Sequence, residues 1–79
     1  MKKEIVLIRI GLKIKKLREE KKVSQQDLAA MCNFEKSNMS RIEAGRTNLT
    51  IGTLLKICEA LDIKLNDVID IESDLSSSS

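Results

Sequence analysis

Two short helical segments with only a few residues between them occupy the middle of this 79-residue chain. Ser24 followed by Asp27 has the form of a capping box, in which the hydroxyl accepts a hydrogen bond from a first-turn amide. Asn33 is expected to end this helix, because asparagine tolerates the left-handed conformation that a helix exit often needs. The pattern predicts one helix over residues 25–32 and another over residues 36–44, joined by a tight turn.

Three further helices are predicted around this pair. A stripe of apolar residues at helical spacing predicts the first helix over residues 10–21, with Ile10 and Ile14 facing inward. Thr50 can cap a fourth helix, and a last short helix is expected over residues 65–70. The apolar positions of the fourth helix follow the i, i+3, i+4, i+7 rule and are Ile51, Leu54, Leu55, Cys58 and Leu61.

The composition favours an all-helical domain. The chain contains no Pro, Trp or Tyr and one Phe, whereas an all-β fold needs aromatic and turn residues. Its length leaves room for one small domain. We therefore expect an all-α, compact five-helix domain over residues 10–71, preceded by an apolar and basic extension at 1–9 and followed by a disordered, serine-rich tail at 72–79.

The residue types that most catalytic and metal sites use are scarce. There is no His, and two Cys alone cannot build a structural zinc site, so we expect no metal, no cofactor and no enzymatic activity. Cys32 and Cys58 lie among apolar neighbours and are expected in the core. The four apolar residues at 5–8 are too few to span a membrane and no secretory signal begins the chain, so we expect a cytoplasmic protein without membrane contact.

Charge is distributed unevenly along the chain, although the net charge is only +2. Residues 1–22 contain nine basic residues and three acidic ones, whereas residues 51–79 contain two basic and six acidic. A basic end on a small helical domain favours a polyanionic partner, but solvated helix surfaces also carry such runs. Charge by itself leaves both interpretations open.

The third predicted helix has two chemically different faces. Met39 and Ile42 fall on one side, whereas the opposite side carries polar groups with a basic residue near each end. These polar residues are Lys36, Ser37, Ser40 and Arg41. Two short helices joined by a tight turn, the second with an exposed polar face, match the helix-turn-helix geometry that places a recognition helix in the DNA major groove.

At this point the chain resembles the phage-repressor and Cro-like, or Xre-type, helix-turn-helix family over residues 10–69. The segments that carry the resemblance are IKKLR at 14–18, SQQDLA at 24–29, MSRIEAGR at 39–46 and LLKICEALDI at 54–63. The resemblance implies a lambda-repressor-like DNA-binding domain in which the second and third helices form the helix-turn-helix. It also implies a sequence-specific transcriptional regulator, acting as a homodimeric repressor on a pseudo-palindromic operator in double-stranded DNA.

The resemblance further implies roles for individual residues. Those expected to contact DNA phosphates are Gln25, Arg46, Thr47 and Asn48. Those expected to read base edges are Lys36, Ser37 and Arg41, with Asn38 and Ser40 as borderline contacts. Arg18 is expected to pair with Glu43 in a structural ion pair between the first and third helices.

Side-chain chemistry agrees with these roles. Arg41 can offer a bidentate fork to guanine O6 and N7, Lys36 can do so with one ammonium, and Asn38 can pair with adenine if it turns outward. Gln25 stands at a helix N-terminus, where amide groups suit an anionic phosphate oxygen. The alternative interpretation is that these polar residues only solvate a surface helix, and the flanking motif favours the DNA-binding one.

Three residues depart from the family pattern. Lys22 stands at the exit of the first helix where Gly is usual, so a left-handed conformation there costs about 1 kcal/mol or is avoided by another turn. Asn33 replaces a turn Gly, which is a milder change. Phe34 replaces a smaller aliphatic residue, so the packing between the second and third helices, including Met39, is expected to adjust.

Two surfaces compete for the dimer contact. The end of the chain has more apolar residues than a five-helix core is expected to absorb, and the family resemblance also implies contacts there. The residues predicted for this interface are Leu61, Ile63, Leu65, Ile69 and Ile71. The alternative is the segment 5–8, because four consecutive apolar residues cannot all face inward from one helix and their β-branched content permits a strand paired across the dimer.

Other partners stay open at this point. RNA polymerase is a candidate for a regulator, and a cognate toxin is a candidate if the protein is an antitoxin whose DNA binding is secondary. The sequence does not distinguish a prophage, a restriction-modification or a toxin-antitoxin context. A nucleic-acid enzyme is disfavoured, because the sequence has no carboxylate cluster, nucleophile-base pair or Gly-rich phosphate loop.

Overall fold

The computed structural model describes residues 2–69, and all regular structure in this range is helical. The helices are α1 (Lys3–Glu20), α2 (Gln25–Met31), α3 (Lys36–Glu43), α4 (Ile51–Leu61) and α5 (Leu65–Val68). The all-α, five-helix prediction is therefore confirmed for the described part of the chain. α5 ends two residues before the predicted residue 70, because Ile69 has extended backbone angles. The predicted tail at 72–79 lies outside the described residues.

α1 begins seven residues earlier than predicted, at Lys3 instead of residue 10. Val6 continues the inward-facing stripe one turn before Ile10 and packs partly buried against the core. Glu4 places a carboxylate in the first turn, where the positive end of a helix favours negative charge. The strand considered for residues 5–8 is wrong, because the structure places these residues in α1. Four consecutive apolar residues show no helical period by themselves, so the contacts with the core were needed to identify the helix.

The four longer helices end in the same way. At each exit the residue with positive φ donates its N–H to the carbonyl three residues back, and the next residue donates to the carbonyl five residues back. This is the Schellman arrangement. The positive-φ residues are Lys22 at 59°, Asn33 at 59°, Gly45 at 72° and Asp62 at 54°. Asn33 thus ends α2 as predicted, and Lys22 adopts the left-handed conformation instead of avoiding it.

The two predicted hydroxyl caps are present. The Ser24 Oγ accepts a hydrogen bond from the Asp27 backbone N–H at 3.0 Å at the start of α2. The Thr50 Oγ1 accepts from the Thr53 backbone N–H at 3.1 Å at the start of α4. Each cap satisfies an amide that has no partner within its own helix, so both helix starts are determined locally.

The hydrophobic core joins all five helices. α3 packs against both α1 and α2, while α5 closes the core by contacting α1 and α4. The core residues are Ile10, Ile14, Leu28, Ala29, Cys32, Met39, Ile42, Leu54, Ile57, Cys58, Leu61 and Val68. Cys32 and Cys58 are buried free thiols as predicted, and burial raises the pKa of both.

The predicted apolar stripe of α4 is wrong at two positions. Ile51 and Leu55 are 61% and 43% exposed, whereas Ile57, which the prediction omitted, is completely buried. The inward face of α4 is therefore set by Leu54, Ile57, Cys58 and Leu61. An i, i+3, i+4 pattern accommodates either of two neighbouring faces when both are apolar, so only the packing partners decide which face is buried.

The chain accommodates Phe34 between α2 and α4. Its ring is partly buried against the core, and the Lys56 Nζ lies 5.7 Å from the ring centroid in a cation–π arrangement. Met39 of α3 is completely buried in the core. A separate property of the helices in residues 2–69 is that none combines the length and the apolar composition that a membrane-spanning helix requires.

Candidate nucleic-acid interface

α3 has the two faces that its sequence predicts. Met39 and Ile42 are buried, while the opposite side is polar and open to solvent. The exposed residues of this polar face are Lys36, Ser37, Ser40 and Arg41. Asn38 is half-buried and lies at the margin of the face. The polar face of α3 therefore presents hydroxyl and cationic hydrogen-bond donors along a short helix.

The start of α3 carries an acidic residue that the sequence interpretation left out. Glu35 is the N-cap residue but makes no side-chain cap hydrogen bond. Its Oε2 instead accepts a long hydrogen bond from the Ser37 Oγ at 3.5 Å. A carboxylate here repels phosphate oxygens and attracts base amino groups, so this end of α3 has mixed electrostatic character.

Behind this face, Arg18 and Glu43 form a buried ion pair between α1 and α3. The Arg18 Nε donates to Glu43 Oε2 at 2.6 Å, and Nη2 donates to Oε1 at 3.0 Å. A third hydrogen bond runs from Nη1 to the Val23 carbonyl oxygen at 2.9 Å. The two side chains are only 9% and 4% exposed, and the hydrogen bond to Glu43 raises the pKa of Arg18.

Gln25 joins this pair from α2. Its Nε2 donates to Glu43 Oε1 at 3.0 Å, so the Glu43 carboxylate accepts hydrogen bonds from side chains of two other helices. The contact holds the Gln25 side chain in a half-buried position beside α3. One N–H of the amide group is occupied in this way, and the other remains for a further acceptor.

Lys15 lies near Gln25, although the sequence analysis assigned it no role. A shallow groove brings together Lys15 of α1, Gln25 of α2 and Ser40 of α3, and Glu43 and Ala44 also line it. Lys15 is exposed at this junction. The sequence contained a signal for this position of Lys15. Lys15 precedes Arg18 by three residues, and residues three apart in a helix lie on the same side.

The loop after α3 continues the polar surface. Gly45 turns the chain with φ of 72°, which L-residues with a side chain rarely adopt. Arg46 and Asn48 are exposed and Thr47 is half-buried. The residues that the family resemblance assigned to DNA therefore occupy one connected region formed by α2, α3 and this loop.

Most of the residues predicted for the dimer contact are buried or half-buried, so little of their surface is open to a partner. Leu61 is 2% exposed and belongs to the core, so this part of the prediction is wrong. Ile63, Leu65 and Ile69 are half-buried against the core, and Ile71 lies outside the described residues. Among residues 2–69, the exposed large apolar residues are instead Ile5, Ile8, Leu12, Met31, Ile51 and Leu55.

The fold and this surface define a helix-turn-helix DNA-binding domain. Residues 13–74 match the model of the Cro/C1-type helix-turn-helix DNA-binding domain. The chain belongs to this family, as the sequence segments had indicated.

Individual relatives agree with the family. The chain is 39% identical over 71 residues to the control protein C.MunI of a Mycoplasma species, covering 87% of this chain and 96% of that protein. It is 33% identical over 64 residues to the immunity repressor of Bacillus phage phi105, covering 81% of this chain and 44% of that protein. The crystal structure of the restriction-modification controller C.AhdI from Aeromonas hydrophila superposes with a TM-score of 0.77 at 30% identity, covering 80% of this chain and 96% of that one.

Proposed function

We propose that this protein is a sequence-specific regulator of transcription that binds double-stranded DNA as a homodimeric repressor. The observation that carries the proposal is the polar face of α3, which is exposed while the opposite face is locked in the core. A helix held in this way can enter the major groove without rearrangement, which lowers the ordering cost of binding.

Base recognition is assigned to the exposed face of α3. Arg41 reads guanine through two parallel hydrogen bonds, and Lys36 adds a second cationic donor five residues earlier on the same helix. Ser37 and Ser40 supply hydroxyl groups between them, and Asn38 contributes at the margin. These residues specify the sequence because their donors reach base edges and not only the backbone.

Phosphate contacts are assigned to the residues that surround α3. Gln25 and Lys15 line a groove with Ser40 of α3, and the loop residues Arg46, Thr47 and Asn48 follow α3 in the chain. Contacts of this kind fix the position of the recognition helix on the duplex and carry most of the salt dependence of binding.

A dimer is proposed because one recognition helix reads few base pairs. Two copies related by a two-fold axis read half-sites about 34 to 36 Å apart, which makes the operator pseudo-palindromic. The half-buried apolar residues Ile63, Leu65 and Ile69 are the proposed contact, with Leu61 now excluded by its burial.

Selection of bound sequences from a random duplex library tests the proposal directly. We expect enrichment of a palindrome whose half-sites are separated by one helical turn. Arg41→Ala protein selected in parallel should lose the preference at one position of each half-site. Recovery of no common sequence by the unaltered protein would contradict sequence-specific regulation and leave a protein-interaction module, such as an antitoxin, as the better candidate.

The likeness to the control protein C.MunI over nearly its whole length favours one genetic context. We propose that the regulated genes belong to a restriction-modification system. The selected sequence is then expected upstream of genes for an endonuclease and a methyltransferase. A match found only upstream of phage lysogeny genes or of a toxin gene would contradict this assignment without affecting the DNA-binding proposal.

A further inference from the structure

The first two turns of α1 lie beside the loop that follows α3. A surface groove separates the two segments, and its walls come from residues far apart in the sequence. Lys3, Glu4 and Leu7 line one side, and Arg46, Thr47 and Asn48 line the other. The segment that the sequence interpretation treated as an extension is therefore part of the same surface as a loop assigned to phosphate contacts.

Two glycines keep α1 in contact with this loop and with the end of α3. A Cβ at Gly45 would lie 2.6 Å from the Ile8 Cα, and a Cβ at Gly11 would lie 2.4 Å from the Glu43 carbonyl oxygen. Real side chains do not approach backbone this closely, so both positions require glycine for the observed packing. Because Ile8 and Gly11 are one helical turn apart, this double contact fixes the direction in which the start of α1 points.

The charges on the two walls of the groove favour an anion. Lys3 and Arg46 are both exposed, and neither forms an ion pair within residues 2–69. Glu4 lies on the same wall as Lys3, and its negative charge offsets part of the positive charge of Lys3 and Arg46. Two unpaired cations on opposite walls nevertheless leave the groove with a net positive charge, and Thr47 and Asn48 add hydrogen-bonding groups between them.

We propose that the first two turns of α1 extend the DNA-binding surface and that Lys3 contacts a backbone phosphate neighbouring the one that Arg46 contacts. This inference rests on the proposed function, because it takes the loop to lie on DNA. When a duplex lies on that loop, the adjoining phosphate comes over the groove, where the flexible stem of Lys3 delivers a compact charge. The contact adds affinity and carries no base preference.

The test measures affinity against salt concentration with the full-length protein and a duplex of roughly 30 base pairs that carries the selected sequence, long enough for two half-sites. Lys3→Gln should make the slope of log affinity against log salt shallower by about 0.9 for each protomer that loses the contact. Glu4→Gln should raise affinity, and more so at low salt, because it removes a repulsion that salt screens. If Lys3 and Glu4 had only a structural role, their substitutions would not change DNA binding in opposite directions.

Matched controls change the same charges elsewhere. Lys64→Gln at the start of α5 and Glu59→Gln on α4 lie outside the groove and should leave the slope unchanged. Thermal melts verify that all four variants fold. Changes in the controls as large as those in the test variants would show that only net charge matters, and would overturn the inference.

Failure of this inference is distinguishable from failure of the proposed function. A slope that Arg46→Gln makes shallower but Lys3→Gln leaves unchanged would overturn the role of α1 alone. Equal binding of all duplex sequences, with Arg41→Ala and Arg46→Gln both without effect, would overturn the proposed function together with this inference.

Discussion

Glu43 is the residue at which three helices meet. Its carboxylate accepts hydrogen bonds from Arg18 of α1 and Gln25 of α2 while its own backbone ends α3. A charge buried this deeply is costly to leave without a partner, so the pair determines the relative position of α1 and α3 more than it adds net stability. Gln25 transmits the same constraint to α2.

Removing one member of this pair is expected to be severe. Arg18→Met should lower the free energy of unfolding by about 3 to 5 kcal/mol, because Glu43 would stay buried without its cationic partner. The double variant Arg18→Met with Glu43→Leu should recover much of that loss. Urea unfolding of both single variants and the double measures the coupling, and strictly additive losses would show that the side chains are not coupled.

Gly11 is expected to tolerate no side chain. Gly11→Ala should lower the free energy of unfolding by about 1 to 3 kcal/mol despite the higher helix propensity of Ala, because the new methyl group meets the carbonyl oxygens of Ile42 and Glu43. Gly52→Ala is the matched control, since the nearest atom lies 3.8 Å from its added Cβ. It should stabilise α4 by up to about 1 kcal/mol. Equal effects in chemical denaturation would contradict the close approach.

The two buried thiols predict a pH dependence of stability. Burial raises the pKa of Cys32 and Cys58 in the folded state, with Lys56 acting in the opposite direction at Cys32. The thiols of the unfolded chain therefore ionise first, so their contribution to stability is complete at neutral pH and declines as the pH rises above about 8.5, the ordinary thiol pKa. A variant with both residues replaced by Ala should show a shallower decline in urea unfolding, and an identical decline would contradict the assignment.

At the scale of the element, α3 separates two tasks between its two faces. Its buried face fixes the helix in the core, and its exposed face makes no core contact. Under the proposed function, substitutions on the exposed face are expected to change DNA specificity with little effect on stability.

Arg41 and Lys15 are expected to affect DNA binding in different ways. Arg41→Ala should cost about 1 to 3 kcal/mol on the selected site and relax preference at one base of each half-site. Lys15→Gln should weaken binding to all sequences about equally and make the salt slope shallower. Titrations of both variants against the selected duplex and single-base variants of it separate these effects. An unchanged preference in the Arg41 variant, with only the overall affinity lowered, would contradict its role in base reading.

At the scale of the whole molecule, the proposed dimer requires an apolar surface that a second copy covers. Ile63, Leu65 and Ile69 are half-buried and near the end of the described chain. The exposed apolar residues of α1 and α4 offer competing surfaces, since Ile5 and Ile51 are more open to solvent than any residue of the proposed contact.

Sedimentation equilibrium of charged variants decides between these surfaces. Ile63→Asp should give a monomer with reduced operator affinity, because a carboxylate at the proposed contact is desolvated on association. Met31→Asp is the control, since it adds the same charge at an exposed apolar position outside the competing surfaces and should remain dimeric. A dimer that persists in Ile63→Asp and dissociates in Ile5→Asp or Ile51→Asp would place the interface elsewhere.

Local interactions made much of this fold predictable from sequence. The Ser24 and Thr50 caps and the Asn33 exit each involve groups within a few residues of one another, so their effects are readable without knowledge of the packing. These local signals placed α2 and α3 to within one residue of their observed ends for the same reason.

Long-range packing decided the remainder. The sequence determined that the chain is helical, where its central helices begin and end, and which side of α3 is polar. Only the tertiary structure decided that α1 starts at Lys3, that Leu61 is buried and Leu55 exposed, and that Lys15 borders Gln25. Each of these facts depends on which other helix occupies a given face, and contacts between residues distant in sequence are not encoded in the period of any single segment.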